Sequence, residues 1–210
     1  MQLWLGLPTG ARVPAGAWTV MRTRLAKSAP DGAPLPVPDA PFDVLVEVRV
    51  PVAASAGDPA VVVAVDGALA AVPAVDRARS AVLAGVEHVV VAGDGPVRAV
   101  GLVRRRPGLD HPQFLEHWRE RHVVFARRAA VGAGYRQLRA DRAASEALAT
   151  RLGIAPAGFD GAGMLFFPHE AAMAAVRATP AVRRDATADE MRFVDHGRSF
   201  FVAVSALSTA

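Results

Sequence analysis

A chain of 210 residues, 52% hydrophobic and without a single cysteine, can bury a real core but must hold it by packing alone. Disulfides, thiolate metal sites and cysteine nucleophiles are excluded together. The formal charge is only +4, and the sequence pI near 10.8 reflects an almost all-arginine set of cations, with Lys27 the sole lysine.

By length the chain is one large domain or two small ones of about 100 residues, and it reads better as two, 1–95 and 96–210. In the first, the pattern predicts strands near Gln2 to Leu7, Val44 to Val50, Val61 to Val65 and His88 to Val91, with helices near Gly16 to Lys27 and Ala74 to Ala84. The opening MQLWLGLP lacks the basic region of a signal peptide and reads as the first strand. The Pro-rich stretch SAPDGAPLPVPDAP is a surface loop. The longest apolar run, around Ala60 to Val75, is broken by Asp66 and Pro73 and falls short of the roughly 20 residues a bilayer span needs. A soluble, cytoplasmic protein with no membrane contact is therefore expected.

The second half opens with the apolar segment Ala99 to Val103 and the run Arg104-Arg105-Arg106, which reads as a solvated strand end. No stacking aromatics interleave with it, so nucleic acid is not an expected partner. Pro107-Gly108 then turns the chain, and Asp110 caps the clearest helix, DHPQFLEHWRERHVVFARRAA. Phe114, Trp118, His122, Phe125 and Ala129 form one apolar stripe along it. Gly132 and Gly134 stop the helix. Strands follow at Tyr135 to Ala140, Gly163 to Phe167 and Phe200 to Leu207, with an insert of helical character, SEALATRLG, and a second helix near His169 to Arg177. The order is β-α-β-β-α-β. Laying WTVMRTRL over EHWRERH makes the first half a degenerate repeat, with Met21 on Trp118 and Leu25 on His122.

The stretch LVRRRPGLDHPQFLEHWRERH resembles the opening of EthD-domain proteins: a basic strand end, Pro-Gly-Leu, a Phe, then Trp-Arg-x-x-His on the first helix. The later DEMRFVDHGRS resembles the family's second signature, Arg-Phe-x-Asp before the last strand. This resemblance covers about residues 99 to 207. It implies an α+β fold in which two ferredoxin-like βαββαβ halves form an α/β barrel. Here the two halves would be in tandem, giving an intramolecular, pseudo-dimeric barrel closed within one chain, compatible with weak self-association through its helical faces. One departure bears on pocket shape: the family usually follows the histidine with a small residue, Pro and Leu, where this chain has Val123-Val124-Phe125.

His122 lies on the apolar stripe, and a desolvated imidazole titrates near neutrality and can pass protons. On the residues alone a satisfied core histidine is the simpler reading; the resemblance favours a functional one. Tyr135, the only tyrosine, could face either side of its sheet and is the candidate partner that holds an oxyanion. Phe114, Trp118, Phe125, Phe166 and Phe193 are candidate substrate-contacting aromatics, which by default pack the sheet. Asp195, favoured by the second signature, is a further candidate, although it also suits a capping role beside Arg192 or Arg198. No two histidines stand three or four residues apart, and His117 and His122 fall about 140° apart on an ideal α-helix, so no metal site is expected. No GxGxxG, P-loop or GxSxG occurs, so no cofactor is expected either.

These features suit a cofactor-independent enzyme doing acid–base chemistry on a hydrophobic small molecule, such as cyclisation, dehydration or decarboxylation of a phenolic or polyketide-like substrate. Two alternatives stand beside it: a cofactor-free monooxygenase acting on a phenol or anthrone-like molecule, and a non-catalytic binding or accessory protein. A helical insert between Arg142 and Phe159 is expected to cover the pocket as a lid.

Overall fold

The computed structural model describes residues 2–6, 18–24, 42, 44–49, 58–70, 76–129 and 134–206. The second half is the more regular. Four strands, β5 (Val97–Val103), β6 (Tyr135–Ala140), β8 (Gly161–Phe167) and β9 (Phe200–Ala206), pair in the order β9-β5-β8-β6, every pair antiparallel. This is the fourth, first, third, second order of a ferredoxin-like unit. Between β5 and β6 run α2 (His111–Glu116), a six-residue π-helical segment (His117–His122) and α3 (Val123–Ala129). Between β8 and β9 run α5 (Glu170–Ala178) and α6 (Pro180–Phe193).

The start of α2 is fixed by local chemistry. Gly108, with φ of 94°, makes the turn out of β5 that a side chain would resist. Asp110 then accepts a bond from the Gln113 backbone N–H at 2.7 Å while the Gln113 side chain accepts from the Asp110 N–H at 2.9 Å, a full capping box.

The first half departs from the expected repeat at three elements. Trp18–Arg24 is strand β2, where a helix over Gly16 to Lys27 was expected; Trp, Thr and Val favour the extended chain, and the helical alignment rested on arginine spacing alone. Pro59–Ala70 is helix α1, where Val61 to Val65 was expected as a strand. Asp58 caps it through Ala60 N–H at 2.8 Å and Pro59 opens it, and it continues past Asp66 and Gly67 to Ala70. Ala81–Val91 is strand β4, overriding a helix over Ala74 to Ala84. Strands β1 (Gln2–Gly6) and β3 (Val44–Arg49) stand where expected. The described elements of this half therefore run β-β-β-α-β, with β1 parallel to both β3 and β4 and β2 antiparallel to β3. The Pro-rich loop 28–41 lies outside the described residues.

All the strands belong to one curled sheet, β1-β3-β2-β9-β5-β8-β6-β4-β7, where β7 is the short Ala155–Pro156 strand and β1 also pairs with β4. The halves meet twice, through β2 with β9 and β4 with β6, both antiparallel. Strand alternation separates two faces. The inner face carries one apolar cluster that includes Leu45, Leu83, Val100, Leu102, Leu138, Met164, Phe166, Val202 and Val204.

At one end of this cluster sits a group of buried charges. Glu47 bonds Arg98, Arg49 reaches Glu47 at 2.8 Å, and Arg136 lies 3.6 Å from Glu87. Phe166 is held between two guanidinium groups, Arg98 at 4.7 Å and Arg136 at 4.5 Å from its ring centre.

The outer face is covered by helices. The segment expected as a lid forms α4 (Arg142–Leu152), whose Leu148, Ala149 and Leu152 pack with Val61, Val65 and Leu69 of α1 and with Val82 and Ala84 of β4. It is thus part of the helix layer of the first half. Among the described residues, no helix is long and apolar enough to cross a membrane.

Candidate functional site

The site lies on the outer face of the sheet, between the α2–π–α3 helix and α6. Hydrogen bonds of i→i+5 type bring residues five apart onto nearly one face. His117 and His122, at opposite ends of the π-helical segment, both reach Asp189 on α6: His117 Nε2 lies 3.0 Å from Oδ1 and His122 Nδ1 lies 2.9 Å from Oδ2. His122 is 6% exposed and Asp189 7%. A buried carboxylate shared by two imidazoles is fully occupied in its bonding, which is the condition for burying it at tolerable cost.

The register of α6 against the first helix is set by the chain on either side. Arg106 N–H donates to the Phe193 carbonyl at 2.8 Å, and Asp195 N–H donates to the Arg104 carbonyl at 2.8 Å. Arg105 and Val194 form the bridge between these two bonds. The Arg-Arg-Arg-Pro-Gly-Leu and Arg-Phe-x-Asp segments are therefore one structural unit, and it holds Asp189 one turn up α6 from Phe193. Phe193 itself, 1% exposed, stacks on His117 at 4.7 Å and packs against His122 at 5.1 Å and Phe114 at 5.7 Å.

His122 Nδ1 faces an Asp189 oxygen, and a neutral ring that donates its Nδ1 proton there presents the lone pair at Nε2. Glu190 Oε1 is 3.9 Å from Nε2, beyond hydrogen-bond length, and the other Glu190 oxygen lies 3.6 Å from His196 Nε2. Phe125, half-buried, packs on His122 at 5.8 Å. Such a His–Asp pair can accept a proton at Nε2 while the carboxylate stabilises the resulting imidazolium.

Of the residues expected from sequence, His122 is in the pair, Phe125 and Phe193 pack on its ring, and Phe114 and Trp118 extend the apolar layer from Phe193. Tyr135 points to the same outer face, in the cluster with Ala126. Its hydroxyl lies 3.4 Å from Gln137 Nε2, and burial pushes its pKa up to about 12, with a smaller push from the Glu190 carboxylate. The same Gln137 amide donates to the Trp118 carbonyl at 3.2 Å, while its buried Oε1 has no hydrogen-bond partner among the described residues. Gly161 and Gly163 leave room for this layer: a Cβ at Gly161 would stand 2.5 Å from the Trp118 ring.

Two expected residues lie elsewhere. Phe166 belongs to the inner face, between Arg98 and Arg136. Asp195 bonds Arg198 at 2.7 Å, which holds its carboxyl below the usual range, and its backbone carbonyl accepts from Ser199 Oγ at 2.7 Å. It shapes the turn before β9.

Sequence reasoning missed Asp189, His117 and Glu190. Helical angles counted at 100° per residue put His117 and His122 on different faces, and the π-helical segment removes that separation. Among the described residues, no group of three or more His, Asp or Glu side chains is arranged to hold a metal ion.

A family comparison agrees with the geometry of this half: residues 106–197 match the EthD domain. No curated protein and no solved structure matches the chain.

Proposed function

We propose that the EthD domain of residues 106–197 makes this protein a cofactor-independent acid–base enzyme acting on a hydrophobic small molecule. His122 is its proton-transfer group and Asp189 the residue that orients it. The observation that carries this reading is the buried pair itself, His122 Nδ1 on Asp189 Oδ2 at 2.9 Å, with Nε2 3.9 Å from Glu190 Oε1, beyond hydrogen-bond length.

In the reaction, a C–H or O–H proton of the substrate passes to Nε2, and the electron pair stays on the substrate as an enolate or phenolate. Asp189 offsets the imidazolium charge, and the proton returns to the substrate or its leaving group in the second half of the cycle. The Tyr135 hydroxyl, protonated throughout the working pH range, is the donor nearest in character to an oxyanion-holding group. Gln137 Oε1 is an acceptor for a substrate hydroxyl. Phe114, Trp118, Phe125 and Phe193 supply the apolar surround, which fits a phenolic or polyketide-like molecule undergoing cyclisation, dehydration or decarboxylation.

The reading of the chain as two halves closing a barrel within one molecule belongs to the same proposal. It is supported by the pairing of β1 with both β3 and β4 and by the two antiparallel joints between the halves.

A non-catalytic binding protein is the rival, favoured by one observation: the large cleft of this half is lined by Leu115 and Arg139 but not by His122. Deuterium exchange separates the two. Incubated in D₂O with a panel of aryl methyl ketones and phenolic β-keto esters, the protein should accelerate exchange at the acidic C–H, read by NMR. His122→Gln should keep the fold and lower that rate by roughly 10² to 10⁴ fold, with loss of the acid limb of the pH–rate profile. Equal exchange by parent and variant would leave the binding reading in possession.

A further inference from the structure

A cleft of about 1100 Å³ opens on the other side of α2, at the junction of the Arg104–Leu109 loop, β6, the start of α4 and the loop 156–160. Its wall is mixed. Leu109, Leu115 and Phe159 give an apolar surface, and six arginines face three carboxylates.

Those carboxylates are occupied. Asp160 is held by the Arg105 backbone N–H at 2.8 Å, by the Arg105 guanidinium and by His111 at 3.2 Å. Glu146 bonds Arg142 at 2.8 Å, and Asp141 caps α4 through Ala144 N–H at 2.9 Å. Arg198 is taken by Asp195, and Arg106 by the Met191 carbonyl at 3.0 Å.

Arg104 and Arg139 remain. Neither is paired with a carboxylate among the described residues. Arg104 sits over the Phe159 ring, 5.2 Å from its centre. Gly158 leaves that guanidinium its space, since a Cβ there would fall 2.7 Å from its nitrogen. Arg139 has a buried Nε with no hydrogen-bond partner among the described residues. Burial and the neighbouring Arg119 both disfavour its charge, so an anion beside it would relieve the cation.

We propose that this cleft is a binding site for an organic anion, in which Arg104 and Arg139 take a carboxylate or phosphate group and the Leu109, Leu115 and Phe159 surface takes an apolar body. The site is separate from the His122–Asp189 pair and does not depend on the reading of that pair. The volume suits a small molecule rather than a peptide groove, and charge-assisted bonds from two guanidinium groups give the acidic group its share of the affinity.

The test is calorimetric titration of the full chain with three probes that share one aromatic body: naphthalene-2-carboxylate, 2-naphthyl phosphate and naphthalene-2-carboxamide. At least one of the two anions should bind about tenfold or more tightly than the amide, and which of them does so identifies the preferred acid. Arg104→Gln and Arg139→Gln should each cancel most of that preference. Arg151→Gln, which removes an exposed charge on α4 outside the cleft, should keep it, as should His122→Gln. The probe comparison on the parent protein stands even if a variant fails to fold. Equal affinity for anion and amide in the parent, no binding of either anion at about 1 mM, or a preference that survives both cleft variants would overturn the proposal.

Discussion

Two groups of buried polar side chains occupy opposite faces of the same sheet, and they differ in what their protons can do. On the inner face, Glu47 and Glu87 are matched to Arg49, Arg98 and Arg136. Guanidinium groups keep their charge at any working pH, so on this face only a carboxyl can gain or lose a proton, and burial raises that of Glu87. On the outer face, Asp189 is matched to two imidazoles, which change charge under mild conditions. Burial alone therefore does not mark a chemical site. A carboxylate held by histidine has a partner that can change charge, while one held by arginine has a partner that keeps it.

The same carboxylate-to-amide change in each group tests this contrast. Glu47→Gln leaves Arg98, itself 4% exposed, without its anion, and should lower the unfolding free energy by about 3–5 kcal/mol in denaturant titration. The double change Glu47→Leu with Arg98→Met should recover most of that loss, because a buried ion pair is worth little over an apolar pair of similar volume. A loss below about 1 kcal/mol in the single variant would show that water reaches the cluster.

Asp189→Asn should do the reverse, keeping the fold while reducing deuterium exchange by on the order of 10² fold or more. The amide can present N–H to His122 Nδ1, which moves the ring proton to Nε2. The pH–rate profile should change with it, a result that a purely structural role would not give. Loss of stability without that change would put Asp189 in the same class as Glu47.

Tyr135→Phe is a milder probe. Its hydroxyl lies 3.4 Å from Gln137 Nε2, which keeps the Trp118 carbonyl as acceptor, so the stability cost should be about 1 kcal/mol. With the phenol pushed up to about 12, the alkaline limb of any pH–rate profile below pH 10 should be the same in parent and variant. A limb that disappears would mean the hydroxyl ionises during turnover.

The smallest effect is a slope. Burial raises the Glu87 carboxyl above its usual range, against the pull of Arg49 and Arg136. The folded state then holds this proton more tightly than the unfolded chain, so stability should fall as pH rises from the ordinary carboxylate value through the raised one, and level off above it. Glu87→Gln should flatten that part of a plot of thermal midpoint against pH. A slope of opposite sign in the parent would mean that the arginines win over burial.

What could be read in advance follows from where local signals were strong. Pro107-Gly108, Asp110 and the stripe from Phe114 specify a turn, a cap and an amphipathic helix without help from the rest of the chain; the turn and cap stand as expected, while the π-helical segment moves the buried stripe after His122 to Val123 and Ala126. The first half lacks such punctuation. The valine run of α1 carries no period that separates strand from helix, and only its cap and its packing on β3 and α4 decide it. The alternative faces open to Tyr135 are resolved by alternation along β6, where Arg136 and Leu138 take the inner side. The site was half legible. His122 lies on the stripe, but its partner comes from a helix about seventy residues on in sequence, and no periodicity links the two.

The π-helical segment between His117 and His122 holds one residue more than an α-helix needs to bring the same two rings onto one face. Residues four apart in an α-helix already share a face, so taking one residue out of Arg119–Arg121 would let the segment wind as an ordinary α-helix and leave both imidazoles on the side of Asp189. A substitution that made all six residues wind as an α-helix would instead keep the length and turn His122 about 140° away from His117, off the carboxylate the two share. The segment works like slack taken up in a cable: the surplus is absorbed locally, and the two ends stay where they are needed.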